Sequence, residues 1–257
     1  MCSIVLLVRP GHDWPILIGA NRDEMRDRPS RAPGRHWADR PEVVAGIDLL
    51  AGGSWLGINV HGLVAAVSNR VNTLGPAAGF RSRGELVLEA LDHPDAAAAA
   101  LALADLAPGA YRPFNMVIAD NRDAWWLRNL GPEEGAGVVE VKPLPAGLSM
   151  ITAHDRNDRS SPRIRRFLPR FEAAPPPDPE RGDWTGWATL LASRDHGPDE
   201  GPAAAMSIET DTGFGTVSSA LIALPAPRLP PQKPVFLFAA GRPGEAPYEP
   251  VALYPGA

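Results

Sequence analysis

Cysteine is nearly absent from this chain, whose 257 residues include only Cys2. One cysteine cannot form an internal disulfide, and it excludes every Cys-x-x-Cys zinc or redox motif. The six histidines show no His-x-x-x-His spacing, so no metal site is predicted. These absences exclude a disulfide-stapled secreted domain and make a reducing compartment the expected environment.

Long apolar segments are also missing. No stretch approaches the ~20 consecutive apolar residues that cross a bilayer. The first apolar run is too short for a secretory signal and no basic region precedes it. A net charge of -5 and a sequence pI of about 5.7 disfavour nucleic-acid binding, because neutralising phosphates needs a basic surface. We therefore predict a cytoplasmic protein with no membrane span and no nucleic-acid partner.

Nucleotide-binding signatures are lacking too. The glycine-rich segment Ala51–Ser54 has no P-loop lysine, and no Gly-x-Gly-x-x-Gly opens a helix, so no cofactor is predicted. The 44% hydrophobic and 21% charged composition is typical of a globular protein. The proline-rich stretch 173–183 indicates a stiff connector rather than a domain boundary, which predicts a single domain over residues 1–257. Oligomeric state is not indicated.

The N-terminus carries the residues around which the rest is organised. Cys2 follows Met1, and initiator methionine is normally removed before a residue as small as cysteine. The exposed Cys2 then carries a nucleophilic thiol and a basic amine on one residue. The apolar runs Ile4–Val8 and Ile16–Ala20 predict two antiparallel strands. This hairpin delivers Asn21-Arg22-Asp23 to the end of the sheet where Cys2 lies.

Three further patterns position candidate residues. The runs Trp55–Ile58 and Leu63–Val67 predict a second hairpin with its turn at Asn59. Ser82 and Glu85 have capping-box spacing, which predicts the start of a helix. Ser161 before Pro162 predicts another helix start. On that helix Arg163, Arg166 and Arg170 share a face, which we interpret as solvent-exposed, with anion or partner binding as the alternative.

These motifs together resemble those of a known family. Met1-Cys2, the tetrad Asn21-Arg22-Asp23-Glu24, Gly52–Gly57, Ser68-Asn69-Arg70 and Phe214–Ser219 look like the NRDE family, also called the transport and Golgi organisation 2 family. The resemblance implies the N-terminal-nucleophile hydrolase fold. That fold is of the α+β class, a four-layer αββα sandwich of two mainly antiparallel sheets flanked by helices.

A more distant similarity concerns the site. The hairpin from Trp55 to Val67 and the following Asn69 resemble those of the conjugated bile acid hydrolase and penicillin V acylase group, which are N-terminal-cysteine hydrolases. The similarity implies that Asp23 is the catalytic carboxylate and Asn69 the oxyanion-hole amide. The group's arginine before Asn21 is replaced here by Ala20. Arg22 emerges on the same side of an extended chain and is the candidate substitute.

The similarity also implies a set of substrate contacts. We assign these contacts to Asn21, Trp55, Asn59 and His154. Where the group has a second oxyanion asparagine this chain has Met150, which cannot donate a hydrogen bond. His154, Asn157 or a backbone N–H are the candidates left for that role. Many relatives have an arginine at the position of Val217.

The chemistry expected of these residues is amide hydrolysis. The Cys2 amine, with a reference pKa near ~7.7–8.0, accepts the thiol proton and later returns it to the leaving amine. Arg22 favours the thiolate, Asp23 holds the amine, and Asn69 with a backbone N–H stabilises the oxyanion. The leading hypothesis is therefore an amidohydrolase that cleaves a linear C–N bond of a small amide or acyl substrate.

Two alternatives stay open at this point. In the first, these residues are only structural: Asp23 and Arg22 form a buried ion pair that stabilises the hairpin, and Asn69 caps a turn. The family resemblance also implies a different class, a non-catalytic carrier or chaperone for haem or acyl lipids. Cys2, His12 or a tryptophan-lined cavity then holds the ligand, since thiolates also bind haem iron.

Overall fold

The computed structural model describes residues 2–131, 137–227 and 232–254; Met1, whose removal is predicted, lies outside them. The α+β class is confirmed, because the described residues form α-helices and two antiparallel sheets. The strands are β1 (Ser3–Val8), β2 (Ile16–Met25), β3 (Ser30–Gly34), β4 (Val43–Asp48), β5 (Leu56–Asn59), β6 (Val64–Asn69), β7 (Phe114–Ala119), β8 (Ala124–Asn129), β9 (Glu140–Pro143), β10 (Gly147–Ile151), β11 (Phe214–Leu224), β12 (Val235–Ala239) and β13 (Glu249–Pro250). The helices are α1 (Gly84–Leu91), α2 (Ala96–Ala104), α3 (Pro162–Ala173) and α4 (Thr185–Leu191).

The chain divides into two compact units. The first unit comprises the chain up to Arg28 and the segment Ala146–Val251. It contains a six-stranded sheet in the order β10-β1-β2-β11-β12-β13. The second unit comprises Pro29–Pro145 and the residues that follow Val251. Its seven strands keep their sequence order, β3 to β9.

The predicted N-terminal hairpin is confirmed. β1 and β2 are antiparallel, with Ser3 opposite Asn21 and Val8 opposite Ile16. β2 continues to Met25, five residues beyond the apolar run, because its other edge pairs with β11 along its whole length. The polar tetrad therefore lies within a central strand, in which Asn21 pairs with both β1 and β11 and the next three residues pair with β11.

Two helices cover one face of the first unit's sheet. Val5, Leu17 and Leu221 from the strands pack with a set of buried helical side chains, Ile164, Phe167, Phe171 and Trp187. Full burial of each large apolar side chain stabilises the fold by ~1.5–3 kcal/mol. A Cβ at Gly19 would lie 3.1 Å from Trp187 Cε3, so glycine is what lets α4 approach β2 this closely.

In the second unit, α1 and α2 pack on its seven-stranded sheet. Leu86 and Leu103 from the helices share a core with Ala65, Met116 and Leu127 from the strands. The predicted hairpin of β5 and β6 is confirmed, with Leu56 opposite Ala66. β6 is thus the central strand of this unit's sheet, and Asn69 is its last residue.

Both predicted helix starts are confirmed, because α1 begins at Gly84 and α3 at Pro162, but only one of the predicted caps is present. Ser161 caps α3 as predicted, because its Oγ accepts a hydrogen bond from Ile164 N at 3.4 Å. The capping box of Ser82 and Glu85 was wrong: α1 has Arg83 at its N-cap and no side-chain cap. The Glu85 carboxylate accepts from Arg81 at 2.8 Å. None of the helices described combines the length and apolar character that crossing a bilayer demands.

Candidate active site

Cys2 lies immediately before β1, beside the polar end of β2. Continuing the antiparallel register by one residue beyond the Ser3 and Asn21 pair places Cys2 opposite Arg22. The Cys2 thiol is partly buried and donates to the backbone carbonyl oxygen of Asp23 at 3.9 Å. The structure therefore brings Cys2, Arg22 and Asp23 together at one end of the first unit's sheet.

The electrostatics around Cys2 act in opposite directions. Burial raises the pKa of the Cys2 thiol, and the negative charge of Asp23 acts in the same direction. The hydrogen bond to the Asp23 carbonyl and the positive charge of Arg22 lower that pKa. Arg22 thus favours the thiolate, as the sequence predicts, but burial has the larger effect.

Neighbouring residues of β2 project from opposite faces of the sheet. Because strand side chains alternate, Arg22 shares a face with Cys2 and with Ser218, its partner on β11. Asp23 projects from the other face, together with Asn21 and Ser3. Cys2 therefore has the side chains of Arg22 and Ser218 on its own face and contacts the backbone of Asp23. The Asp23 carboxylate lies on the other face, towards the helices.

Thr216 and Arg163 hold the Asp23 carboxylate among buried groups. Thr216 donates its hydroxyl to Asp23 Oδ1 at 2.6 Å, and Arg163 donates to Asp23 Oδ2 at 3.0 Å. The same Arg163 nitrogen donates to Ser3 Oγ at 2.6 Å. A β-bulge between Thr216 and Ser218 makes Val217 the extra residue, which puts Thr216 opposite Asp23.

Arg163 corrects the sequence interpretation of the arginine face on α3. Its side chain is 3% exposed, whereas those of Arg166 and Arg170 are 25% and 41% exposed. The solvent-exposed assignment was therefore wrong for Arg163. The ion pair that the structure shows for Asp23 is with Arg163, 140 residues away in the chain, rather than the one with Arg22 that the sequence suggested.

Asn21 has protein partners on both sides of its amide. Nδ2 donates to the carbonyl oxygens of Leu191 and Met206, each at 2.9 Å. Oδ1 accepts from Ser219 Oγ at 2.7 Å. These contacts tie β2 to the end of α4 and to β11, and the predicted role of Asn21 in substrate binding stays a prediction.

His154 lines a small pocket in the first unit. The pocket has a volume of about 110 Å³ and includes Arg163 and Glu200 in its wall. His154 Nδ1 lies 3.8 Å from Asp158 Oδ2 and 3.5 Å from Ser160 Oγ. Arg163 thus forms part of this pocket and also contacts Asp23.

A second pocket lies at the opposite end of β1. Its volume is about 310 Å³, and Arg9, His12 and Trp14 are in its wall with a set of proline and acidic residues from the connector, Pro176, Pro177, Asp178, Pro179 and Glu180. His12 Nδ1 accepts a hydrogen bond from Trp14 N at 2.9 Å, which leaves Nε2 as the ring nitrogen for another partner.

The candidates in the second unit occupy structural positions there. Asn69 is 7% exposed, ends β6 and donates from Nδ2 to Arg70 O at 2.8 Å. The side chain of Asn59 makes four hydrogen bonds within the described part of the chain: Nδ2 donates to Leu91 O and His93 O, and Oδ1 accepts from two turn N–H groups. Trp55 packs on Gly46, where a Cβ would lie 2.4 Å from its ring. Their predicted roles in catalysis and binding stay predictions.

Sequence reasoning missed Arg163, Thr216 and Ser3. Thr216 lies in the family-like segment Phe214–Ser219, which carried a signal for position but not for this contact. Ser3 had no signal, and the arginine pattern of α3 did not distinguish Arg163 from Arg166 and Arg170. The pairing of three strands and the docking of a helix bring Ser3 and Arg163 together. Among residues 2–131, 137–227 and 232–254, no group of three or more His, Cys, Asp or Glu side chains is placed to hold a metal ion.

Comparison with known proteins gives family matches over the N-terminal two thirds. The family model described as Transport and Golgi organisation 2 matches residues 1–174. The Transport and Golgi organization protein 2 homologue of Bos taurus is 35% identical over 114 residues, and that of Homo sapiens is 34% identical over 112. Each alignment covers 42% of this chain and only 39% of the relative's length.

Comparison with solved structures identifies the fold. A Caenorhabditis elegans N-acylethanolamine-hydrolyzing acid amidase orthologue has a TM-score of 0.53 at 14% identity, covering 86% of this chain and 92% of its own. Penicillin V acylase from Agrobacterium tumefaciens has a TM-score of 0.52 at 12% sequence identity, and the alignment covers 93% of this chain and 83% of the acylase. A mutant conjugated bile acid hydrolase from Clostridium perfringens has a TM-score of 0.54 at 11% sequence identity, and the alignment covers 93% of this chain and 89% of the hydrolase. These likenesses confirm the predicted N-terminal-nucleophile hydrolase-like fold.

Proposed function

Because this chain belongs to the Transport and Golgi organisation 2 family, we propose that it is an N-terminal-cysteine amidohydrolase. Its substrate is a small acylated molecule with a linear amide C–N bond. Removal of Met1 makes the Cys2 amine available as the base. The protein acts in the cytoplasm, where a single free cysteine stays reduced.

One observation carries the proposal. Cys2 immediately precedes a buried central strand and is held beside Arg22, with its thiol 3.9 Å from the Asp23 carbonyl oxygen. A cysteine that served only as a core residue needs neither a buried arginine on its own face nor a buried carboxylate one residue further on. Reactive cysteines in proteins occur next to such cationic groups.

The proposed reaction has two halves. The Cys2 amine accepts the thiol proton, the sulfur forms a bond to the acyl carbon, and the C–N bond breaks as the proton passes to the departing nitrogen. Water then adds to the thioester carbon and gives a proton to the amine. The carbon–sulfur bond breaks, the sulfur regains its proton, and a carboxylic acid is released.

The roles of the other residues follow from charge and position. Arg22 shares the face of Cys2 and favours the thiolate. Asp23 anchors the strand end through its carboxylate, and in the processed chain it orients the new N-terminus. Asn69 as the oxyanion donor rests on the family resemblance, as do the substrate contacts of Asn21, Trp55, Asn59 and His154.

The substrate class is proposed from the structural neighbours. Their names describe an amidase that hydrolyses N-acylethanolamines, a penicillin V acylase and a conjugated bile acid hydrolase. At 11–14% identity these likenesses support the fold, so the amide substrate is our inference for this chain.

Intact-mass measurement with reactive acyl donors tests the proposal. We expect the purified protein to lack Met1 and to gain one acyl group. Cys2→Ala is the matched control, because alanine is also small enough for methionine removal, and it should gain no acyl group. Retained Met1, or an adduct that persists in Cys2→Ala, contradicts the proposal.

A haem or acyl-lipid carrier is the second candidate function. The observation that favours it is the pocket of about 310 Å³ beside His12 and Trp14, with His12 Nε2 left as a ligand atom. Titration with haem should then produce a saturable absorbance change that His12→Ala abolishes. A titration that His12→Ala leaves unchanged removes this candidate.

A further inference from the structure

Arg163 joins the three parts of the molecule that meet behind Cys2. It lies in the first turn of α3, and Nη1 contacts both Ser3 of β1 and Asp23 of β2, at 2.6 and 3.0 Å. Nη2 donates to Ala203 O at 2.8 Å. The side chains of Arg163 and Asp23 are 3% and 0% exposed, so water does not compete for this pair.

We propose that Arg163 is a positioning residue. It holds the start of β1, next to Cys2, in a fixed position relative to the end of β2, so that the thiol is placed for attack. The role in catalysis rests on the proposed function, whereas the effect on Cys2 itself does not. Arg163 touches neither the thiol nor the acyl group in this proposal. It acts through Ser3, the residue next to Cys2, and through Asp23.

The geometry explains why an arginine stands here. A planar guanidinium presents several donors in fixed directions and so bridges Ser3, Asp23 and Ala203 at once. A lysine supplies the charge but only a point contact. The position of the nucleophile is therefore set by a rigid fork anchored on a helix, and displacement of a reacting group by 1 Å costs ~10²-fold in rate.

Charge gives Arg163 a second effect on the same thiol. Asp23 raises the pKa of Cys2 while Arg22 lowers it. Because the Arg163 guanidinium lies 3.0 Å from Asp23 Oδ2, we expect its positive charge to offset part of the Asp23 field at the thiol. His154 and Glu200 are titratable residues that line the pocket of about 110 Å³ together with Arg163. Glu200 is itself paired with Arg165 and Arg166.

Two rates separate the positioning role from a purely structural one. The first is acylation of Cys2 by the donor that labels the unmodified protein. The second is alkylation of Cys2 by iodoacetamide across a pH range, in which the sulfur–carbon bond forms and iodide leaves. Alkylation needs no substrate site, so it reports on the thiol whether or not the protein is a hydrolase.

The variants are Arg163→Met, Arg163→Lys and Ser3→Ala, with Arg165→Met as the matched control on the same helix. Arg163→Met should slow acylation by about a hundredfold and move the alkylation midpoint to higher pH. Arg163→Lys keeps the charge, so it should slow acylation without moving the midpoint. Ser3→Ala should slow acylation less than Arg163→Met, and Arg165→Met should change neither rate.

Folding of each variant is checked by circular dichroism. If Arg163→Met does not fold, Arg163→Lys and Ser3→Ala still decide the question. Wild-type acylation rates in folded Arg163→Lys and Ser3→Ala overturn the inference. If no donor acylates the unmodified protein, the proposed function fails, and a midpoint that Arg163→Met leaves unmoved then overturns the positioning role separately.

Discussion

Thr216 donates its hydroxyl to the buried carboxylate of Asp23 at 2.6 Å, across the pairing of β11 with β2. The same oxygen accepts from the backbone N–H of Ile208 at 2.8 Å. One side chain therefore satisfies a carboxylate oxygen and a loop N–H, both out of contact with water. This double role makes Thr216 a sensitive test of how the polar end of β2 is stabilised.

Thr216→Val should lower the free energy of unfolding by about 1–3 kcal/mol, because it leaves a buried acceptor and a buried donor without this partner. Urea unfolding measures the change. Thr212→Val is the control, since Thr212 is exposed and its hydroxyl shares a solvent-exposed hydrogen bond with that of Thr210. Its effect should lie within about 0.5 kcal/mol, and equal effects of the two variants contradict the prediction.

Removing the charge of Arg22 should raise the pKa of the Cys2 thiol, because Arg22 lowers that pKa in the native protein. Since burial already raises it above the ordinary value, alkylation of the native thiol should accelerate only at alkaline pH. In Arg22→Met the midpoint should move to still higher pH. Arg26→Met, whose side chain is half exposed and pairs with Glu209, should leave the midpoint where it is; a shift in both variants rules the interpretation out.

Tyr248 should make stability fall at high pH. Burial raises its pKa to about 12, above the ordinary value of 10.0. The folded state thus holds the proton more tightly, so the contribution is complete below pH 10 and is lost as pH rises from 10 to 12. Two pKa units correspond to roughly 3 kcal/mol.

Tyr248→Phe provides the comparison, because it removes the ionising group while keeping the ring. The variant loses the 2.7 Å hydrogen bond with Ser219 but should show a smaller drop in stability between pH 10 and 12. Urea unfolding at several pH values measures this. Parallel pH profiles for the two proteins contradict the assignment to Tyr248.

Asn59→Ala should lower the free energy of unfolding by about 2–4 kcal/mol, because four backbone groups lose a partner in a site only 5% exposed. His61→Ala, in the same turn and exposed, should change it by less than about 0.5 kcal/mol. If Asn59→Asp, which keeps the oxygen that accepts from the turn, unfolds at the wild-type urea concentration, the bonds to Leu91 and His93 do not contribute.

Asn69→Ala tests the oxyanion role that the family resemblance implies. Loss of one oxyanion donor lowers the rate by about 10²–10³-fold, so acylation of Cys2 should slow by that factor. Alkylation by iodoacetamide forms no oxyanion and should proceed at the wild-type rate. Equal slowing of both reactions indicates a structural defect and contradicts the prediction.

Much of the fold and part of the site are predictable because they depend on local patterns. The runs Ile4–Val8 and Ile16–Ala20 are joined by a short turn, so their pairing follows from hydrophobicity and proximity. That pairing already places Cys2 next to the tetrad. The cap of α3 by Ser161 is local in the same way.

Other features depend on contacts between distant segments. The burial of Arg163 could not be predicted, since a helix with three arginines on one face normally turns them to solvent. The docking of α3 against the first unit's sheet is what brings Arg163 to Asp23. Similarly, the bulge near Val217 decides that Thr216 faces the carboxylate, and no pattern within β11 signals a bulge.

The sequence by itself determined the N-terminal hairpin and the position of a single cysteine beside Arg22 and Asp23, because apolar patterns act over a few residues. Its motifs carried the family resemblance that implied the α+β class. Only the tertiary structure decided the partners of Asp23. Its carboxylate is buried, a buried charge must find an opposite charge and hydrogen bonds, and the segments that supply them lie 140 and 193 residues away along the chain.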